Sequence, residues 1–211
     1  MTDPESEDLP MSGEIDTDTA TDRTETEIHI MEATYRALCR HGYADLSVAD
    51  IAAEFPKSKS LLYYHYDSKE ELIVAFLGFA VDQFLAEVEA ATDDDDPIAT
   101  VRTIVDHLLV VDDSELLEGQ RTIVELRGQA VSEPRFREQF TRVDDRLRAR
   151  IQTALTAAGA PDPEATTELI YAALTGAMTR RHTAIDDPMP VVREELHQLL
   201  DHVVDGDEPS A

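Results

Sequence analysis

The chain has three lysines, one cysteine, eight glycines and no tryptophan. A single cysteine excludes an intrachain disulfide. Cys39 falls within a helical apolar pattern and reads as a small core residue, not a nucleophile. The glycines are scattered, so the dense turn punctuation of a sheet protein is missing. No apolar run approaches the roughly 18 residues that a membrane helix needs, and no membrane partner is expected. The opening residues, MTDPESEDLPMSGEID, lack a basic segment followed by an apolar one. They do not read as a secretory signal, and a cytoplasmic protein is expected.

Catalytic patterns are missing too. There is no phosphate-cradling glycine loop, no H-E-x-x-H and no Cys–His metal spacing. The seven histidines are dispersed. Asp93 to Asp96 lack the spacing of a calcium loop and read as a charged linker. The expectation is no enzyme, no catalytic residue, no metal and no cofactor.

Acid is abundant. The chain has 45 acidic and 18 basic residues, for a net charge of −27. Non-specific attraction of the whole molecule to nucleic acid is therefore not expected. So acidic a surface, with so little lysine, suggests a cytoplasm of very high salt, where charges are screened within roughly 3 Å at 1 M. An ordinary acidic protein is the plainer alternative. Alanine, leucine, glutamate and arginine are plentiful and favour helix, and nothing reads as a strand.

Residues 1–22 hold eight acids and no base, and are expected to be a disordered, solvating tail. From about Arg23, Ile28, Met31, Tyr35 and Leu38 recur at helical spacing, and Gly42 is placed to end that helix. Ser47 and Asp50 form a capping box for a second, short helix, which Pro56 stops near Glu54. Ser58 can cap a third helix, through about Tyr64. Ser68 and Glu71 open a fourth, with apolar residues from Leu72 to Val88. Asp96-Pro97, Asp162-Pro163 and Asp187-Pro188 share one start signal, an Asp cap followed by proline, and Pro134 opens another helix. Five later helices are expected near 97–111, 115–131, 134–158, 163–185 and 188–204, which makes nine.

All three lysines, Lys57, Lys59 and Lys69, lie in one stretch, PKSKSLLYYHYDSKEEL, and no acid occurs from Lys57 to Tyr66. Two short helices joined tightly suggest a helix-turn-helix, whose second helix enters the major groove of DNA. Lysines at the start of that helix, beside its free backbone N–H groups, suit phosphate. Tyr63, Tyr64 and His65 add neutral donors. A patch that merely balances neighbouring acids explains the charge but not the tyrosines.

The segment from Ile30 to Leu72 resembles the DNA-binding domain of the TetR family of transcriptional regulators. The likeness rests on Gly42-Tyr43, on S-V-x-D-I-A from Ser47, on S-K-x-x-L-Y-x-H from Ser58 and on S-K-E-x-L from Ser68. It covers about forty residues in register; the rest matches in helix count and length.

The resemblance implies an all-α, nine-helix homodimer that reads a palindromic operator in double-stranded DNA and binds a small-molecule effector. It implies a three-helix DNA-binding domain over 23–67 and a helical ligand-binding and dimerisation domain over 68–204, with 205–211 a disordered tail. It implies that Ser47 contacts phosphate and that Ser58, Lys59 and Ser60 sit at the groove. Tyr63 and His65 would hold phosphates, Tyr64 would face the DNA, and Lys69 would anchor the far side. One departure stands out. Phe55-Pro56-Lys57 replaces the usual Ala-Gly-Val turn, and proline cannot take the positive φ that glycine supplies. Leu61 replaces a commonly small or polar residue, either to touch a thymine methyl or to pack inward. In concentrated salt, counterion release contributes little, so a shallow salt dependence is expected.

Three further features concern the larger part. Arg127 falls in the middle of the apolar side marked by Ile123, Leu126, Ala130 and Val131, with Gln120 on the same face. Arg127 meets an anionic effector there, pairs internally with an acid, or packs its stem while its head reaches water. Phe76, Phe79 and Phe84 of the fourth helix either wall a hydrophobic cavity or are plain core. Leu169, Ala172, Ala173, Gly176 and Ala177, with Val192, Leu196 and Leu199, suit a four-helix dimer interface or packing within one chain. Arg142, Arg146, Arg148 and Arg150, with Asp144 and Asp145 interleaved, read as a solvated face with local ion pairs. The function expected is a DNA-binding repressor released by an effector. The alternative is a dimeric binding module of the same fold that has lost operator binding.

Overall fold

The computed structural model describes residues 25–57, 59–92, 96–110 and 114–205. These form nine α-helices and no strand among the described residues. They are α1 (Glu25–Asp45), α2 (Val48–Glu54), α3 (Lys59–His65), α4 (Lys69–Ala91), α5 (Pro97–Leu109), α6 (Ser114–Gln129), α7 (Pro134–Ala157), α8 (Pro163–Thr183) and α9 (Met189–Asp205). The expected acidic tail, the cap residue Ser58, Asp93 to Asp95 and residues 206–211 of the C-terminal tail expected over 205–211 lie outside the described residues, while Asp205 ends α9.

Most boundaries follow from capping chemistry. Ser47 Oγ accepts from the Asp50 amide, and the Asp50 carboxylate accepts in turn from the Ser47 amide at 2.8 Å. Asp96 and Asp162 accept from the amides of Ala99 and Ala165, three residues on, with proline at the first helical position. Glu71 differs slightly from the expected box. Its amide donates to Ser68 Oγ, but its carboxylate accepts from the Asp67 amide, one residue earlier than the cap. Asp187 departs further. Its carboxylate accepts from the Met189 amide, two residues on, so Pro188 precedes the helix instead of opening it. Gly42 breaks α1 at φ 66° and ψ 165°, and one more turn reaches Asp45.

Two apolar clusters hold the bundle. The first joins Ile30 and Leu38 of α1, Ile51 of α2, Leu62 of α3 and Leu72 of α4 to Leu126 of α6 and Phe136 of α7. It runs past residue 67 without a break: α1 rests on α4 and α6 and touches α7 through Tyr43 and Phe136, while α2 packs on α1 and α3 on α2. The second gathers α5, α8 and α9 around Ile104, Ile151, Ile170 and Leu200.

The stripes considered for dimerisation are only partly used for packing within the chain. Val192, Leu196 and Leu199 of α9 pack into the second cluster, with Ala173 and Ala177 of α8. Leu169, Ala172 and Gly176 of α8 face outward. No described helix is long and apolar enough to cross a membrane.

Candidate nucleic-acid interface

α3 has seven residues, too few to persist alone. Its Leu62 is fully buried in the first cluster and fixes the opposite side outward. α2 sets the angle. Phe55 is buried and extended at φ −85° and ψ 124°, the conformation favoured before proline. The departing Phe55-Pro56-Lys57 turn is thus made without a glycine, by sinking Phe55 into the core.

A clamp unforeseen from the sequence holds α2 against α1. Arg36 donates to the Glu54 carbonyl at 3.1 Å, and Arg40 pairs with the Glu54 carboxylate. The two arginines sit four apart on one helical face, and their charge suits the C-terminal end of α2. The i,i+4 spacing was a visible signal; the partner was not.

The exposed side of α3 carries most of the candidate contacts. Lys57 Nζ donates to Thr26 Oγ1 at 3.0 Å, which joins the start of α1 to the start of α3. Lys59 lies 5.7 Å from the Tyr63 ring centre. Lys59 and Ser60 are exposed, Tyr63 is 47% exposed and Tyr64 83%. His65 is half-buried and meets Tyr64 edge-on at 5.5 Å. So Lys57, Lys59, Ser60, Tyr63 and Tyr64 come together on one open surface with no acid in the segment.

Three candidate contacts also pack or bond within the fold. Leu61 is half-buried against the first cluster, as the inward-packing alternative expects. Lys69 is also half-buried. It donates to the Tyr43 carbonyl at 3.1 Å and lies 4.3 Å from the Tyr43 ring centre, so it fastens α4 to α1. The Ser47 hydroxyl is exposed but shared with Asp50.

The residues considered for an effector do not converge. Phe76 is buried and stacks on Tyr35 at 6.0 Å, and Phe79 packs against the same cluster, while Phe84 meets His107 edge-on in the second. Gln120 donates to the Leu108 carbonyl at 2.8 Å, and its buried side-chain oxygen has no hydrogen-bond partner. Arg127 makes a two-pronged pair with Asp144 at 2.9 and 2.8 Å, over the Phe140 ring. The internal ion pair is therefore the arrangement observed, and Arg127 needs no anionic guest. A cleft of about 100 Å³ opens between α1 and α6, lined by Cys39, Arg40, Glu118, Arg121 and Glu125, with none of the four effector candidates. Arg142 and Arg148 pair locally with Glu138 and Asp145, but Arg146 reaches Asp82 of α4 and Arg148 also reaches Glu168 of α8, so the face is partly tied to neighbouring helices.

Residues 30–76 match the family described as bacterial regulatory proteins, tetR family. Residues 92–206 match a tetracyclin repressor-like C-terminal domain. A TetR transcription regulator of known structure from Haloarcula marismortui is 30% identical, with a TM-score of 0.73 over 83% of this chain and 96% of that one. A putative TetR-family regulator from Rhodococcus sp. shares the fold at 24% identity, with a TM-score of 0.70 over 85% of this chain and 98% of that one. The HTH-type transcriptional regulator TtgR of Pseudomonas putida is 31% identical over 83 residues. That stretch is 38% of this chain and spans only 40% of TtgR. With matches to both halves of the architecture, and a nine-helix bundle that presents a helix-turn-helix, the chain belongs to the TetR family of transcriptional regulators.

Proposed function

We propose that the protein is a homodimeric repressor that binds a palindromic operator through α3 and leaves it when a small molecule binds. One observation carries the DNA reading. In a chain of net charge −27, the face of α3 is free of acid and presents Lys57, Lys59, Tyr63 and Tyr64 together. Ser47, Ser58, Ser60 and His65 complete the contact set, and Lys69 acts through the position of α4. Two copies are needed to read two half-sites. The outward Leu169, Ala172 and Gly176 of α8 support a helix-to-helix dimer face, and the exposed Val191 of α9 extends the apolar surface.

The effector is proposed on family grounds. A carboxylate would reach Arg127 only by displacing Asp144, so an uncharged or cationic molecule is the better fit. The second reading, a dimeric binding module without an operator, is favoured by the Pro56 turn alone. Mapping of bound DNA across the genome, with the parent chain and with Lys59→Ala and Tyr63→Phe, separates the two. Discrete sites lost in both variants support the repressor. An absence of sites in the parent leaves the binding module.

A further inference from the structure

The bond between Lys57 and Thr26 sets the first turn of α1 beside the start of α3. The described chain therefore begins, at Glu25, at the edge of α3. Residues 1–22 carry eight carboxylates and no base. Two of the three lysines, Lys57 and Lys59, are exposed at that edge, while Lys69 is half-buried against Tyr43.

We propose that the acidic segment 1–22 docks on the α3 face, over Lys57 and Lys59, and competes there with DNA phosphate. The inference rests on the reading of α3 as the DNA surface. Charge complementarity chooses this surface: Glu25 and Glu27 continue the negative run into α1, and no acid occurs from Lys57 to Tyr66. Reach does not limit it. A random coil of this many residues has an end-to-end distance of roughly 25 Å, while α3 is about 10 Å long. A tethered segment acts at an effective concentration in the millimolar range, so weak individual pairs suffice. The segment raises selectivity: weakly held, non-specific duplex is displaced, while an operator with base contacts outcompetes it. The contact weakens as salt rises, because both partners lie in water.

Two measurements test this on the full chain. In the first, carboxylates are coupled to amines by a zero-length carbodiimide, and the cross-links are mapped by mass spectrometry. Only three lysines exist, so every link to a lysine is assignable. Links from Asp16, Asp18 or Asp22 to Lys57 and Lys59 are expected, and they should fade when duplex DNA is added. In the second, the eight acids of 1–22 are changed to their amides, and binding to a non-specific duplex is followed by fluorescence anisotropy. The changed chain should bind on the order of threefold to tenfold tighter at 0.1 M potassium chloride, with the gap closing near 1 M. The proposal is overturned if the segment links to neither Lys57 nor Lys59, or if both chains bind the duplex equally well. If the links form but neither chain binds any duplex, the docking stands and the DNA reading of α3 falls.

Discussion

Both terminal nitrogens of Arg127 meet the two carboxylate oxygens of Asp144, at 2.9 and 2.8 Å, across the gap between α6 and α7. Phe140 lies under the guanidinium at 4.5 Å, and Tyr171 of α8 stands 3.4 Å away. Burial and a hydrogen bond to Asp144 push the Tyr171 phenol well above its ordinary range. Three helices thus meet at one polar junction. The side chains are 35% and 15% exposed, so the pair is neither a surface bridge nor a dry one.

Breaking that junction from one side should cost more than removing it. Asp144→Asn leaves a half-buried guanidinium without its counter-charge. A fully buried case costs about 3–5 kcal/mol, and solvent access reduces this to about 1–3 kcal/mol. Arg127→Met combined with Asp144→Leu should recover part of the loss. Urea unfolding of the two singles and the double measures it; additive losses would show that the two residues act independently.

Gly119 and Gly128 lie on one helix and should respond in opposite ways to alanine. A Cβ on Gly119 would come within 2.6 Å of the Tyr35 hydroxyl. Tyr35 is stacked on Phe76 and has little room to retreat. Gly119→Ala should destabilise by about 1–3 kcal/mol. At Gly128 a Cβ meets nothing within 4 Å. Gly128→Ala should stabilise by up to about 1 kcal/mol, because alanine favours helix. Thermal melting of both variants is the measurement.

These contrasts show what the sequence carries and what it does not. Caps and prolines act over three or four residues, so helix number and most boundaries were readable from Ser47, Asp96, Pro134 and Asp162. Asp187 misled by one residue, since an Asp before proline can also close a two-residue turn. Periodicity placed Arg127 on an apolar face, but its partner lies 17 residues away on another helix, fixed only by how α6 crosses α7. Leu61 was ambiguous for the same reason: spacing gives a face, and the tilt of α3 decides whether that face meets the core. Lys69 reads as a phosphate anchor from its charge and from the resemblance, and neither signals the carbonyl it holds, that of Tyr43, 26 residues earlier.

Asp106 should mark the acid limb of stability. Burial pushes its carboxyl up, but bonds from Arg193 at 2.6 Å and His197 at 2.8 Å outweigh this and hold it below the usual range. A group with a depressed folded value stabilises fully above its unfolded value, near pH ~4, and loses that contribution as pH falls through the folded one. Asp106→Asn should therefore cost most near neutral pH and progressively less below about pH 4. Chemical unfolding at several pH values tests this, and a pH-independent difference would contradict it.

Lys59 and Tyr63 share the face of α3 but should differ in how salt affects their loss. Each phosphate neutralised by a cation contributes about −0.9 to the slope of log affinity against log salt. With Lys57 and Lys59 from each of two subunits, the slope should not exceed about −4. Lys59→Ala removes one cation per subunit and should flatten the slope by about two for the dimer. Tyr63→Phe removes a neutral donor, so affinity should fall while the slope stays as it was. Titration of a mapped operator from about 0.1 to 1 M potassium chloride reads both quantities. A slope much steeper than −4 in the parent chain would mean that cations beyond this face grip the duplex, and that α3 is not the main phosphate contact.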